Sequence, residues 1–153
     1  IGSFQALQHR AADMRIAGPS AKFSAAFVRI GLSSGDLGTS WLMTRLVGPA
    51  VTSEISFTGR VVEADEAAAV GLVNEVVEDP LARAEELAAA IVGISPGGVE
   101  LSKKAIQANL EAASYAAALE LENRGQALLT RSPDFSEALA ALKEKRPPVF
   151  TGA

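Results

Sequence analysis

The chain has 153 residues, 48% of them hydrophobic and 21% charged, enough apolar mass for one domain with a core and too much for a disordered segment. A formal net charge of −4 without any basic block argues against nucleic acid as the main partner. With no cysteine and a single histidine there is no basis for disulfides, thiolate metal sites, a histidine-built zinc site or a histidine-driven triad.

Alanine dominates and aromatics make up only 5%, so helices that pack closely are expected. Phe4 to Ala12 reads as a helix, with Phe4, Leu7 and Ala11 at helical spacing. Met14 to Ala17 alternates and is stopped by Gly18-Pro19, which predicts a short strand. Phe23 to Phe27 reads as a second one. Gly31 to Gly35 is a loop, and Asp36 is placed to cap a helix running through Trp41, Leu42 and Leu46 to Gly48. Pro49 opens the next helix, which ends at Thr58-Gly59. Ala64-Asp65 starts a short helix over Glu66 to Val70, closed by Gly71. Leu72 to Val77, rich in β-branched residues, reads as a strand.

After Asp79-Pro80 the character changes. Leu81 to Val92 is amphipathic, with Leu81, Ala84, Leu87, Ala88 and Ile91 on one face. Ser95-Pro96 starts a helix through Leu101, Ala105 and Ala108. Tyr115 to Leu129 forms another, and Ser132-Pro133 starts a last one that ends near Lys145, before Arg146-Pro147-Pro148. The division is therefore a small α/β part, residues 1–79, and a helical part, residues 80–153. Three short strands do not make a self-sufficient sheet, so the first part reads as one layer of something larger. The longest apolar run, Leu87 to Val92, is far below the roughly 20 residues that span a bilayer, so no membrane partner is expected. Opening at Ile1 without a positively charged leader reads as a cut beginning, and the lack of cysteine fits a cytoplasmic protein.

Several pieces resemble one family. The run from Ala12 to Phe23, Ala-Asp-Met-Arg-Ile-Ala-Gly-Pro-Ser-Ala-Lys-Phe, is similar to the strand that follows the oxyanion-hole helix of crotonases, the enoyl-CoA hydratase/isomerase family. Gly31-Leu-Ser-Ser-Gly-Asp-Leu-Gly-Thr39 and Thr44-Arg-Leu-Val-Gly48 resemble the family's active-site loop and the helix after it. Phe57-Thr-Gly-Arg60, Ala64-Asp-Glu-Ala67, Val70-Gly-Leu-Val-Asn74 and the ending Lys145-Arg-Pro-Pro-Val-Phe-Thr-Gly152 follow in the family's order. The resemblance runs from Ala11 onward.

The resemblance implies an α/β fold, mostly helical in this chain: residues 1–79 form the C-terminal part of a core of stacked ββα turns, and residues 80–153 form a helical region that assembles homotrimers, often paired into hexamers. It implies an acyl-CoA thioester substrate, with CoA part of the substrate and no separate cofactor or metal. Two backbone N–H groups would hold the thioester oxygen as it gains enolate charge, each worth about 3–4 kcal/mol. Gly2, in Ile1-Gly2-Ser3-Phe4, is the candidate for one of them. The family's hydratases use two glutamates, and the matching positions hold Leu7 and Phe27, neither of which moves a proton. Asp36 matches an aspartate used by dienoyl-CoA isomerases for proton transfer and lies where the family's dehalogenases have their nucleophile. A carboxylate facing an apolar acyl pocket suits a proton shuttle; the competing reading is the plain helix cap.

Phe27 and Trp41 are candidates for the acyl-pocket wall, with core packing as the alternative. Lys145 resembles a basic residue that reaches a phosphate of CoA bound to a neighbouring subunit; the alternative is a lysine opposing the helix dipole. Glu54 reads as a solvated or ion-paired carboxylate, Lys103 and Lys104 as helix-face charges, and His9 as surface or packing. Two functions compete: a crotonase-family enzyme that polarises an acyl-CoA thioester and moves protons or a double bond through Asp36, and an acyl-CoA-binding or structural paralogue without hydratase activity. A fragment whose helices still assemble is a third.

Overall fold

The computed structural model describes residues 13–152. They belong to two compact units that divide between Glu85 and Glu86. The first unit carries β1 (Ile16–Ala17), β2 (Lys22–Ser24), a 3-10 turn (Ala26–Ile30), α1 (Thr39–Thr58), β3 (Val61–Glu63), α2 (Ala64–Ala69) and β4 (Glu75–Val76). Helix α3 (Pro80–Val92) contains the division. The second unit carries α4 (Pro96–Asn109), α5 (Tyr115–Leu129) and α6 (Pro133–Glu144).

The first unit holds two two-stranded ladders. Strands β1 and β4 run parallel, with Ile16 opposite Glu75, and β2 and β3 run antiparallel, with Phe23 opposite Val62. The second strand is shorter than the sequence predicts. The chain leaves the ladder after Ser24, buries Ala25 and coils into the 3-10 turn, which Gly31 closes at φ 77°. Phe27 therefore sits on a helical turn and not at a strand end. Strand β3 is too short to register as a periodic pattern; it exists because Val61 to Glu63 pair with β2. The expected strand over Leu72 to Val77 contracts to Glu75–Val76 because the amides of Leu72 and Val73 turn back to Ala67 O, at 2.8 and 3.1 Å.

Helix α1 joins the two predicted helices across a kink. Gly48 leaves helical geometry at φ 78°, ψ 166°, and Pro49, which has no N–H to lose, restarts the helix. The Thr52 hydroxyl donates to Gly48 O at 2.7 Å, partnering one carbonyl at the break. Met43 before the kink and Ile55 after it enter one core with Ala17, Ala25, Val62, Ala67, Leu72 and Val73. Ile55 and Val62 are its largest fully buried side chains.

In the second unit every helix begins at a serine. Ser95, Ser114 and Ser132 accept from the amides of Gly98, Ala117 and Phe135, satisfying donors the helices leave free. Proline at the start of α4 and of α6 presets the first turn. Helices α4 and α5 are antiparallel neighbours: Gly97 lies against Leu129, Gly125 against Leu101, and Asn109 Nδ2 donates to Glu122 Oε1. Neither helix has a fully buried residue, and Ile106, Leu110, Leu119, Leu121 and Leu128 are exposed. Among the described residues no helix is long and apolar enough to cross a membrane.

Candidate active site

The loop between the 3-10 turn and α1 is fixed at both ends. Gly31 N donates to Val28 O and Leu32 N to Phe27 O, at 3.2 and 3.0 Å, so the loop leaves a closed turn. Gly35 N donates to Ser33 Oγ at 3.0 Å. The buried Ser34 hydroxyl donates to Ser56 O at 3.3 Å, tying the loop to the far half of α1. The loop then reverses through two left-handed residues, Leu37 at φ 50° and Gly38 at φ 78°. Thr39 N donates to Asp36 O at 2.9 Å and Leu42 N to Gly38 O at 2.9 Å, which starts the helix.

A leucine with positive φ is disfavoured by about 1–2 kcal/mol, and such residues persist where the surroundings over-determine the backbone. Here the consequence is local. The cap of α1 is Gly38, not Asp36 as the sequence predicts, because both residues after Asp36 are left-handed. The Asp36 carboxylate accepts from no amide of the helix and instead accepts from its own neighbour, Leu37 N, at 2.9 Å through Oδ1. No ion pair engages Asp36 among the described residues. The side chain is exposed just ahead of the positive end of α1, where negative charge is favoured.

The same stretch of chain also carries exposed apolar side chains. Leu32 and Leu37 are each more than half exposed, and Trp41 in the first turns of α1 is 52% exposed. Arg45 lies over the Trp41 indole, its guanidinium carbon 3.1 Å from the ring centroid, and its Nη1 donates to Trp41 O at 3.4 Å. Such a stack contributes about 0.5–1 kcal/mol at an exposed site and holds the ring in one orientation. Phe27 is half-buried on the 3-10 turn. Ser34 and Arg45 stand within the quoted motifs, but the sequence assigns neither of them a role. The spacing of Arg45 from Trp41 by one helical turn was a legible signal for the second; nothing local marks Ser34 for Ser56.

Phe27, Asp36 and Trp41 thus lie on one continuous stretch of the first unit. Gly2, Leu7 and His9 lie outside the described residues. Lys145 belongs to the second unit, where it closes α6 at φ 56°, ψ 40°, exposed, its amide donating to Leu142 O at 3.3 Å. Glu54 is ion-paired: Arg60 Nε donates to its Oε1 at 2.7 Å, while the Arg60 fork grips Glu66. That grip raises the Arg60 pKa and lowers that of Glu66. Lys104 pairs with Glu100 one turn before it on α4. No group of three or more His, Cys, Asp or Glu among the described residues is placed to hold a metal ion. What the loop offers chemically is a carboxylate, exposed and only partly engaged, on a stretch that also exposes Leu32 and Leu37.

The chain is similar to known proteins. A "Probable enoyl-CoA hydratase" of Mycobacterium tuberculosis is 42% identical over 144 residues, covering 92% of this chain and 50% of that protein. The short-chain-enoyl-CoA hydratase of Clostridium acetobutylicum is 39% identical over 137 residues, covering 88% and 51%. A crystal structure of a probable enoyl-CoA hydratase/isomerase from Mycobacterium abscessus superposes with a TM-score of 0.84 at 41% identity, covering 92% of this chain and 55% of that one. The chain therefore spans about half the length of the curated relatives it matches, and its fold is the α/β crotonase-like one. The family model described as enoyl-CoA hydratase/isomerase matches residues 6–153, and on that match the chain belongs to the enoyl-CoA hydratase/isomerase family.

Proposed function

We propose that the protein acts on acyl-CoA thioesters, holding the thioester oxygen at main-chain amides and shifting a proton or a double bond with Asp36 as the proton carrier. The observation that carries this reading is the strained turn Asp36-Leu37-Gly38: left-handed backbone at a leucine frees the carboxylate from capping α1 and leaves it exposed, next to the exposed Leu37. A positioned carboxylate that accepts and returns a proton contributes about 10²–10⁴-fold in rate. Gly2 is proposed as one oxyanion donor. Phe27 and Trp41 are proposed for the acyl wall, and Lys145 for a phosphate of CoA, where an ammonium acts as a point charge. Phenylalanine and leucine at positions 27 and 7 support isomerisation over hydration, since neither activates water.

The assembly belongs to the same proposal. Residues 1–79 would complete a crotonase core, and residues 80–153 would build a homotrimer or hexamer. The exposed apolar residues of α4, α5 and α6 support this, because faces of that kind are normally covered. A cytoplasmic location is proposed with it.

Spectrophotometric assay of enoyl- and dienoyl-CoA substrates tests the reading. The expected result is isomerisation that Asp36→Asn slows by at least about a hundredfold with CoA binding retained. Hydration of crotonyl-CoA at the rates of ordinary hydratases contradicts the reading of Leu7 and Phe27. Tight CoA binding without turnover, unaffected by Asp36→Asn, identifies a binding paralogue instead.

A further inference from the structure

The segment that follows α6 is tied down by three carboxylates of that helix. Arg146 folds back so that its Nη1 and Nη2 donate to Glu137 Oε1 and Oε2 at 2.6 and 2.9 Å, and its Nε to Glu144 Oε2 at 2.7 Å. Glu137 Oε1 also accepts from Val149 N at 2.8 Å. Asp134, nearly fully buried, takes the rest of the segment: Oδ1 accepts from Thr151 N at 2.8 Å and from Thr151 Oγ1 at 3.3 Å, and Oδ2 from Gly152 N at 3.2 Å. Its Oδ2 also accepts from Ser95 Oγ at 3.2 Å, which joins the start of α4 to the same point. Residues 146–152 are in this way a strap latched across α6.

Lys145 sits where helix becomes strap. Its backbone is left-handed, the conformation that favours glycine, and a lysine is held there between Lys145 N to Leu142 O and Arg146 N to Ala141 O. The Lys145 side chain is exposed and has no hydrogen bond or ion pair among the described residues. Arg146, beside it, has its fork committed to Glu137 and its Nε to Glu144.

We propose that the Asp134–Glu137–Arg146 latch is a positioning device for Lys145, forcing a lysine into a backbone conformation it would not adopt alone so that its ammonium is presented to a phosphate of CoA. The inference rests on the reading of Lys145 given above and adds the residues that hold it. Glu137 and Arg146 act through Lys145 and do not touch the ligand.

Calorimetric titration with coenzyme A, well below the melting temperature, tests it on the wild type, Lys145→Ala, Glu137→Gln and the double variant. Each single change weakens CoA about tenfold, the effect of losing one charge-assisted hydrogen bond, and the double variant is no weaker than Lys145→Ala. Lys145→Gly, which relieves the backbone, binds as weakly as Lys145→Ala yet melts higher. Should Glu137→Gln fail to fold, Arg146→Lys is measured in its place and weakens CoA in the same way. If Glu137→Gln or Arg146→Lys lowers the melting temperature but binds CoA like the wild type while Lys145→Ala does not, the latch is structural only and the inference is overturned. If Lys145→Ala binds CoA like the wild type, the reading of Lys145 is overturned and the inference with it.

Discussion

At Leu37 the backbone adopts a left-handed conformation although the side chain gains little by it, being more than half exposed. Replacing it with glycine removes strain of about 1–2 kcal/mol and adds back about 0.5–1 kcal/mol of chain entropy. Leu37→Gly is therefore expected to raise unfolding stability by up to about 1 kcal/mol in urea denaturation, while loosening the turn that presents Asp36. A stability loss above about 1 kcal/mol would show that the leucine packs where the structure leaves it exposed. The motif from Gly31 to Thr39 singles out Asp36 as a candidate, but the capping role expected for it falls to Gly38. Helix starts are inferred from side chains that can cap, and the true start here follows from the φ of a leucine, a property no side-chain pattern encodes.

The elements divide into those with local signals and those without. Helices α4, α5 and α6 were readable because Ser95, Ser114 and Ser132 cap them and Pro96 and Pro133 preset two of them, all contained in a few residues. The helix after Gly48 was readable from Pro49 for the same reason, though the chain fuses it with the one before into a single kinked α1. Strand β3 and the true end of β2 were not readable, since a three-residue ladder is created by its partner strand rather than by its own periodicity. Two substitutions probe how the elements lock. Gly59 closes α1 at φ 59°, and a Cβ there would meet Arg29 Cγ at 3.0 Å and Val28 Cγ2 at 3.2 Å. Gly59→Ala should destabilise the first unit by about 1–3 kcal/mol, combining strain and overpacking. Ile55→Ala removes one of the two largest fully buried side chains and should lower stability by about 2–5 kcal/mol. Both are read from denaturant midpoints; a change below about 0.5 kcal/mol for Ile55→Ala would contradict the core described here.

Across the molecule, the strap makes stability depend on acid. Hydrogen bonds from Arg146, then from Val149 N, hold the Glu137 pKa down to about 2, against an ordinary 4.5. The amide of Thr151, and further donors from Gly152, Ser95 and the Thr151 hydroxyl, lower that of Asp134. Both groups bind protons more readily unfolded than folded. Their contribution is fully present above about pH 4.5 and is lost as pH falls toward about 2. Thermal melts between pH 7 and pH 2 should show the wild type losing stability below about pH 4.5, with a shallower decline in Glu137→Gln; identical slopes would mean that the latch does not form. The exposed apolar faces of the second unit lead to the same scale, and sedimentation is expected to find assembly rather than monomers.

The central claim is that Asp36 carries a proton to and from a bound acyl-CoA. Proton magnetic resonance of an enoyl-CoA in deuterated water measures that transfer at the acyl carbons without waiting for net turnover. The account predicts exchange catalysed by the wild type and slowed at least about a hundredfold in Asp36→Asn, with CoA affinity unchanged. Equal exchange rates in the two proteins would contradict it.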